Sequence, residues 1–412
     1  MSTSGDLDVL LLRVFLPFAC GYFLSYLYRV VNAVIAPDLI RDVGVDADGL
    51  GLLTSAYFLT FAAFQLPLGV LLDRYGPRRT EAVLLLFAAA GAAMFGVARD
   101  PAALVAARAL IGFGVSACLM AAFKAFVQWF PRNRLPLVNG CQMAAGGLGA
   151  IAATQPVELA LTVTDWRTLF FVLAALTVAA AALIYLVVPE RSDGGGGEPL
   201  ARQLRGIGDV FSSALFWRAA PATVLSQATF LSIQGLWSGP WLRDVAGLDR
   251  GEVATALLFM AAAMVAGFLV MGTIAERLAR VGVPPLTVGV AGMAVFAAVQ
   301  SLIVFQDTAA VIPVWMAFGF FGTSGIIPYA ALSQRFPAHL AGRLNTGLNL
   351  LVFVGAFAAQ WGIGAVIAQW PPTAAGNYDP AGYQTAFGVM LGLQLMALTW
   401  FVLYRRDATP AD

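Results

Sequence analysis

The chain has 412 residues, of which 60% are apolar and only 11% charged, and its mean hydropathy is +0.80. A soluble domain is nearer half apolar and a quarter charged, so a soluble globular fold is excluded, and disorder with it. A net charge of +1 excludes a broadly basic nucleic-acid binder.

At roughly 20 apolar residues per crossing, this length accommodates about a dozen transmembrane helices. Met1 to Val9 carries Asp6 and Asp8 and no basic group. A secretory leader opens with positive charge, so the first apolar run is predicted to be a retained helix. Hydropathy predicts twelve spans, near 10–36, 50–72, 80–98, 102–130, 136–160, 167–189, 219–242, 252–275, 284–305, 309–334, 342–368 and 383–404. The longest polar stretch, 190–218, contains Gly194 to Gly197 and reads as a flexible linker. The expected organisation is an N-terminal six-helix bundle over 1–189, a cytoplasmic linker over 190–218 and a C-terminal six-helix bundle over 219–412. The fold class expected is an all-α integral membrane protein of twelve transmembrane helices.

Arginines set the orientation. With both termini inside, sixteen arginines flank the inner ends of the spans and five the outer ends. The positive-inside rule therefore predicts cytoplasmic termini. Cys20, Cys118 and Cys141 all lie in apolar runs without a C-x-x-C pair, and read as small buried apolar residues.

The halves repeat. Pro37, Arg41 and Asp42 recur as Pro240, Arg243 and Asp244; Gly69, Asp73 and Arg74 recur as Gly272, Glu276 and Arg277. Phe130, Pro131 and Asn139 recur as Phe336, Pro337 and Asn345, and Gln155 as Gln360, at offsets between 202 and 206. Four groups in one order, each at the same end of the matching span, argue for duplication. An even number of spans per half gives parallel repeats, with a midplane site expected between them.

The stretch Gly69-Val-Leu-Leu-Asp73-Arg74-Tyr-Gly76-Pro-Arg78-Arg79 is similar to the loop pattern G-x-L-x-D-R-x-G-R-R of the major facilitator superfamily (MFS), between spans 2 and 3 as in that family. Arg108 to Gly114 resembles the family's span-4 pattern R-x-x-x-G-x-G, and Asp165-Trp166-Arg167 also fits. The copy from Gly272 to Arg280, with Glu276 and Arg277, is degenerate. The resemblance covers the whole chain. It implies the MFS fold of two six-helix bundles and alternating access. It also implies that Gly69, Asp73, Arg74, Gly76, Arg78 and Arg79, with Glu276 and Arg277 of the second copy, form the gating loops, a charge latch holding one gate state. Physical chemistry is compatible: Asp73 can cap a helix or pair with an arginine, and the arginines suit the anionic inner leaflet.

Charge inside a bilayer is expensive and marks function. Arg29 lies in the outer half of span 1. Tyr22, Tyr26 and Arg29 share one face at i, i+4, i+7, with Ser25 and Asn32 beside Arg29. Such an arginine is suited to hold an anion; the competing readings are snorkelling and pairing with Asp38. Arg108 on span 4 is expected level with Arg29. Lys124, the only lysine, is 16 residues further on, about 160° around an ideal helix, and is expected to snorkel to the inner interface. None of the 23 acids falls near a span centre, which favours an anionic substrate as the missing countercharge. Span 1 loosely resembles the anion:cation symporter branch, Y-x-D-R then N, written here Tyr26-Leu-Tyr28-Arg29-Val-Val-Asn32. Tyr28 replaces the acid, which argues against the usual proton route.

In the second half Gln234, Trp237, Tyr329 and Gln360 are expected to contact substrate through amide, indole and phenol groups. The glycines of span 5, Gly140, Gly146, Gly147 and Gly149, are read as packing residues. Met260 and Met264 are a core pair rather than a copper site, and His339 is a solvated loop residue. No phosphate-binding G-x-x-x-x-G-K-[ST], zinc or hydrolase motif occurs, so no cofactor, no metal and no enzyme activity are expected. The function expected is a secondary active or facilitative transporter of a small organic anion. It is expected to be a monomer in the cell membrane, with the lipid bilayer and its small-molecule substrate as its partners. The alternatives are a proton-coupled drug or metabolite exporter and, from another class, a non-transporting membrane sensor or scaffold.

Overall fold

The computed structural model describes residues 9–131, 134–190, 208–305, 310–336, 338–373 and 376–404. The side chains of Asp73 and His339 lie outside the described set. Among the described residues every regular element is helical, and ten helices are long and apolar enough to cross a bilayer. The two remaining expected spans are present in interrupted form. Span 5 runs Leu135–Ala152, turns at Ala153 and Thr154, and resumes as Gln155–Leu161. Span 7 runs Ala214–Ser232, a π-turn Ile233–Trp237 and Ser238–Asp244. Ser226, Gln227, Thr229, Ser232 and Gln234 lower its hydropathy.

Interruption recurs at matching positions of the repeat. Span 1 breaks at Val31, between Leu16–Val30 and Asn32–Val43, where span 7 has its π-turn. Span 4 breaks at Ser116 and Ala117, between Pro101–Val115 and Cys118–Trp129. Span 10 passes through a 3-10 turn, Thr323–Ile326, between Val311–Gly322 and Ile327–Ser333. A break frees backbone groups that hydrocarbon cannot satisfy, so side chains must. Ser116 Oγ donates to Phe113 O at 2.7 Å and Gln65 Nε2 to Ser116 O at 3.2 Å. Ser232 Oγ donates to Ala228 O at 2.7 Å and Ala356 O at 3.1 Å. The hydroxyl and amide residues of these spans are thus placed first by the breaks.

Aspartates start several helices. Asp100, Asp165 and Asp379 accept from first-turn amides of spans 4, 6 and 12, and Asp249 with Glu252 forms a capping box on span 8. The Thr168 amide holds the Asp165 carboxyl below the usual carboxylate range. Spans 2 and 3 run together as Ala47–Val97, interrupted at Gly76, whose φ of +75° is a left-handed conformation that a side chain would strain. That conformation explains the glycine of the loop pattern.

Grouped by contact, the chain forms two compact units: Met1–Val31 with Ala56–Leu200, and Asn32–Ser55 with Ala201–Asp412. Residues 32–55, from the end of span 1 and the start of span 2, thus belong with the second unit. Close backbone approach accounts for it. A Cβ on Gly239 would lie 2.1 Å from Ala33 O, and one on Gly364 would lie 2.4 Å from Ala47 O.

Candidate functional site

In the first unit, the helix Leu16–Val30 presents Tyr22, Tyr26 and Arg29 along one buried face, as the spacing predicted. Tyr22 and Tyr26 meet edge to face, centroids 5.2 Å apart. The Arg29 guanidinium lies 4.4 Å from the Tyr26 ring centroid, 5.9 Å from that of Tyr57 and 5.6 Å from that of Phe61, and the residue is 6% exposed. Aromatic faces stabilise a guanidinium while leaving its in-plane N–H edge for other groups. Snorkelling does not describe a residue this buried. Pairing with Asp38 does not occur either, since Asp38 is engaged by Arg41 and Arg250.

Arg108 is fully buried, with its guanidinium 5.2 Å from the Tyr57 centroid, so both arginines border one ring. Its Nη1 donates to Tyr28 O at 2.7 Å, satisfying a carbonyl freed where span 1 breaks. Arg108 therefore holds the end of the helix that presents Arg29. Asn32, expected beside Arg29, instead donates through Nδ2 to Thr54 Oγ1 at 2.9 Å within the second unit. Lys124 Nζ donates to Leu72 O at 2.9 Å, tying span 4 to the end of span 2. The turn at Ser116 and Ala117 supplies the bend that a shared face for Arg108 and Lys124 would need.

Tyr57 and Phe61 were not singled out by sequence reasoning. Their i, i+4 spacing in span 2 was the available signal. Tyr57 Oη donates to Ser25 O at 3.2 Å, which fixes the ring beside Arg29. Glu81 was missed as well: it is fully buried, although it lies at the start of span 3 and seven residues earlier the chain is in the loop between spans 2 and 3.

In the second unit Gln234 and Trp237 lie within the π-turn of span 7. Gln234 Nε2 donates to Met264 Sδ at 3.2 Å and Trp237 Nε1 to Gln360 O at 2.9 Å. Met264 thus works as an acceptor inside the core. Gln360 Nε2 reaches Ser232 O at 3.4 Å, and its Oε1 and that of Gln234 are buried without a partner. Tyr329 stands apart from this cluster, 3.5 Å from Asn349 Oδ1.

Arg78 and Arg79 of the loop between spans 2 and 3 contact the end of span 6. Arg78 Nε donates to Tyr185 O at 2.8 Å, its guanidinium lies 4.9 Å from the Tyr185 centroid, and Arg78 and Arg79 both reach Glu190 at the end of span 6. Arg74 lies over the Tyr75 ring. In the degenerate copy Glu276 pairs with Arg280 at 2.6 Å, both exposed.

Asp38 is bound bidentately by Arg250, at 3.0 and 2.7 Å, tying residues 32–43 to the start of span 8; Arg41, at 3.0 Å, is largely exposed. A hydrogen bond to a charged group is worth about 1.5–3 kcal/mol net. Asp38→Asn is expected to lower the thermal unfolding temperature of the purified protein by several degrees, and Arg41→Ala by much less. Equal shifts for the two variants would mean that the Arg250 clamp is not the stabilising contact.

A helical chain with this many crossings, interrupted spans and basic groups walled by aromatic rings defines a membrane carrier of small solutes. Residues 18–360 match the family model described as Major Facilitator Superfamily, and the chain belongs to that family. It is therefore a multi-pass membrane transporter and not an enzyme. It is 27% identical over 359 residues to the "Probable sulfoacetate transporter SauU" of Cupriavidus necator, covering 80% of this chain and 82% of that one. It is 24% identical to the hexuronate transporter of Escherichia coli K12, over 57% of this chain and 58% of that one. Among solved structures it resembles a bacterial homologue of the human lysosomal transporter Spinster, with a TM-score of 0.74 and 16% identity, covering 99% of this chain and 98% of that one. At that identity the likeness is one of fold.

Proposed function

We propose that the protein carries a small organic anion by alternating access, and that Arg29 binds the anionic group. The observation that carries the reading is Arg29 itself: a guanidinium buried inside span 1 and framed by Tyr26, Tyr57 and Phe61. Arginine offers a planar fork of donors matching a carboxylate or sulfonate. Both relatives carry, by name, an anion of one of these kinds: sulfoacetate, with both groups, and hexuronate, with a carboxylate. Within the first unit Tyr22 and Tyr26 shape the anion site. Within the second unit the amide oxygens of Gln234 and Gln360 are candidate acceptors for substrate hydroxyls, with Trp237 and Tyr329 as further substrate contacts. The two six-span halves, joined by the 190–218 linker, act as the moving bodies, and the loop of Arg74, Arg78 and Arg79 as the latch. The protein works as a monomer in the cell membrane with both termini cytoplasmic.

Proteoliposome uptake tests this. Radiolabelled sulfoacetate or D-glucuronate is expected to enter in a saturable manner, with unlabelled carboxylates competing and neutral sugars of the same size failing to compete. Competition by neutral sugars alone would overturn the anion assignment.

A further inference from the structure

Glu81 is a carboxyl group without a countercharge in the interior of the first unit. It is completely buried, and neither Oε1 nor Oε2 makes a hydrogen bond. The site is tightly built around it. From span 1 the facing residue is Gly21, where a Cβ would lie 2.4 Å from Oε1 and 3.6 Å from Cδ. Leu85, one turn along its own helix, closes another side. From span 4 the facing group is the thiol of Cys118, the first residue after the break at Ser116 and Ala117. The charged groups on these elements are turned elsewhere. Arg29 lies against Tyr26 and Tyr57, Lys124 donates to Leu72 O, and Arg78 and Arg79 reach Glu190.

A carboxylate buried among apolar groups with no cation and only the weak thiol donor of Cys118 beside it is too costly to persist, whereas the neutral acid pays only for an imperfectly used hydroxyl. The space over Gly21 therefore suits a protonated carboxyl. Two helix breaks lie close to it: span 4 is interrupted just before Cys118, and the Gly76 break of the loop lies five residues before Glu81. A change in either break that admits water or a cation would let the proton leave.

We propose that Glu81 is a proton-binding site, loaded in the conformation described and emptied when span 4 or the loop shifts, and that this couples transport to proton movement. The coupling rests on the chain being a transporter; the proton site does not depend on which solute is carried. The balance is simple: one proton is bound by Glu81 as the carboxylic acid and released as the carboxylate, with no other bond changed.

The test compares the reconstituted full chain with Glu81→Gln, which keeps the shape and neutrality of the acid, and Gly21→Ala, which keeps the acid but crowds it. Infrared difference spectra recorded across pH are expected to show a protonated buried carboxyl in the wild type. That signal should be absent in Glu81→Gln and displaced in Gly21→Ala. In sulfoacetate-loaded vesicles, Glu81→Gln should retain exchange at near wild-type rate and lose accumulation driven by an imposed proton gradient at least tenfold. Spectra indistinguishable between wild type and Glu81→Gln would overturn the proton site. Gradient-driven accumulation persisting in Glu81→Gln would overturn the coupling. If neither sulfoacetate nor D-glucuronate is carried at all, the anion reading falls, and the infrared comparison still decides Glu81.

Discussion

Arg29→Ala is expected to weaken binding of sulfoacetate or D-glucuronate by roughly ten- to a hundredfold. The figure follows from about 1.5–3 kcal/mol for hydrogen bonds to a charged group, at about 1.4 kcal/mol per tenfold. Arg29→Lys should recover only part of the loss. Lysine keeps the charge but presents neither the flat face that lies 4.4 Å from the Tyr26 centroid nor the two-pronged edge that a carboxylate accepts. Tyr26→Phe keeps the ring and should cost no more than about 0.5–1.5 kcal/mol for one neutral hydrogen bond. Arg29→Met fills similar volume without charge. It separates binding from folding, because it should match Arg29→Ala in affinity while unfolding no earlier. Binding measured by isothermal titration on the purified variants reads all four. Wild-type affinity in Arg29→Ala would end the anion-site proposal.

What could be read in advance and what could not divides along a physical line. Arg29 was conspicuous because a charge within an apolar run has few explanations, and its tyrosines follow helical period. Tyr57 was hidden because contact between spans 1 and 2 leaves no mark on either run. Glu81 was hidden differently. It follows Arg78, Arg79 and Thr80, so position along the chain makes it a loop charge, whereas burial under Gly21 makes it an interior one. Hydropathy measures where a residue begins and not where its side chain ends. The break at Val31 was equally silent, since valine neither ends nor kinks a helix by itself; the cause lies in the packing of Ala33 against Gly239. The amides of span 7 were legible as polar, but their partners were not. Trp237 and Gln234 spend their N–H groups on the core. The gating loop was the most legible feature, because Gly76 must adopt a φ that few other residues tolerate, though its acidic partner Glu190 lay beyond any local pattern.

The glycines of span 5 carry the second large effect, and the structure separates residues that the sequence left equivalent. A Cβ on Gly149 would lie 2.1 Å from Phe23 O, a backbone atom of span 1 that cannot swing away. A Cβ on Gly140 meets nothing within 4 Å. Gly149→Ala must therefore push spans 1 and 5 apart. Overpacking costs about 1–3 kcal/mol, and contact with rigid backbone belongs at the upper end. Gly140→Ala removes only glycine's conformational freedom and should stabilise its helix by about 0.5–1 kcal/mol. Gly146 lies between these cases. Its Cβ would meet Tyr22 Cε1 at 2.5 Å and Tyr26 Cδ2 at 2.8 Å, side-chain atoms that can shift but that frame Arg29. Gly146→Ala is therefore expected to weaken anion binding more than it weakens folding, whereas Gly149→Ala does the reverse. Thermal unfolding and sulfoacetate affinity measured on the three variants give the pattern. A Gly149→Ala protein as stable as the Gly140→Ala protein would show that spans 1 and 5 are not in the close contact described.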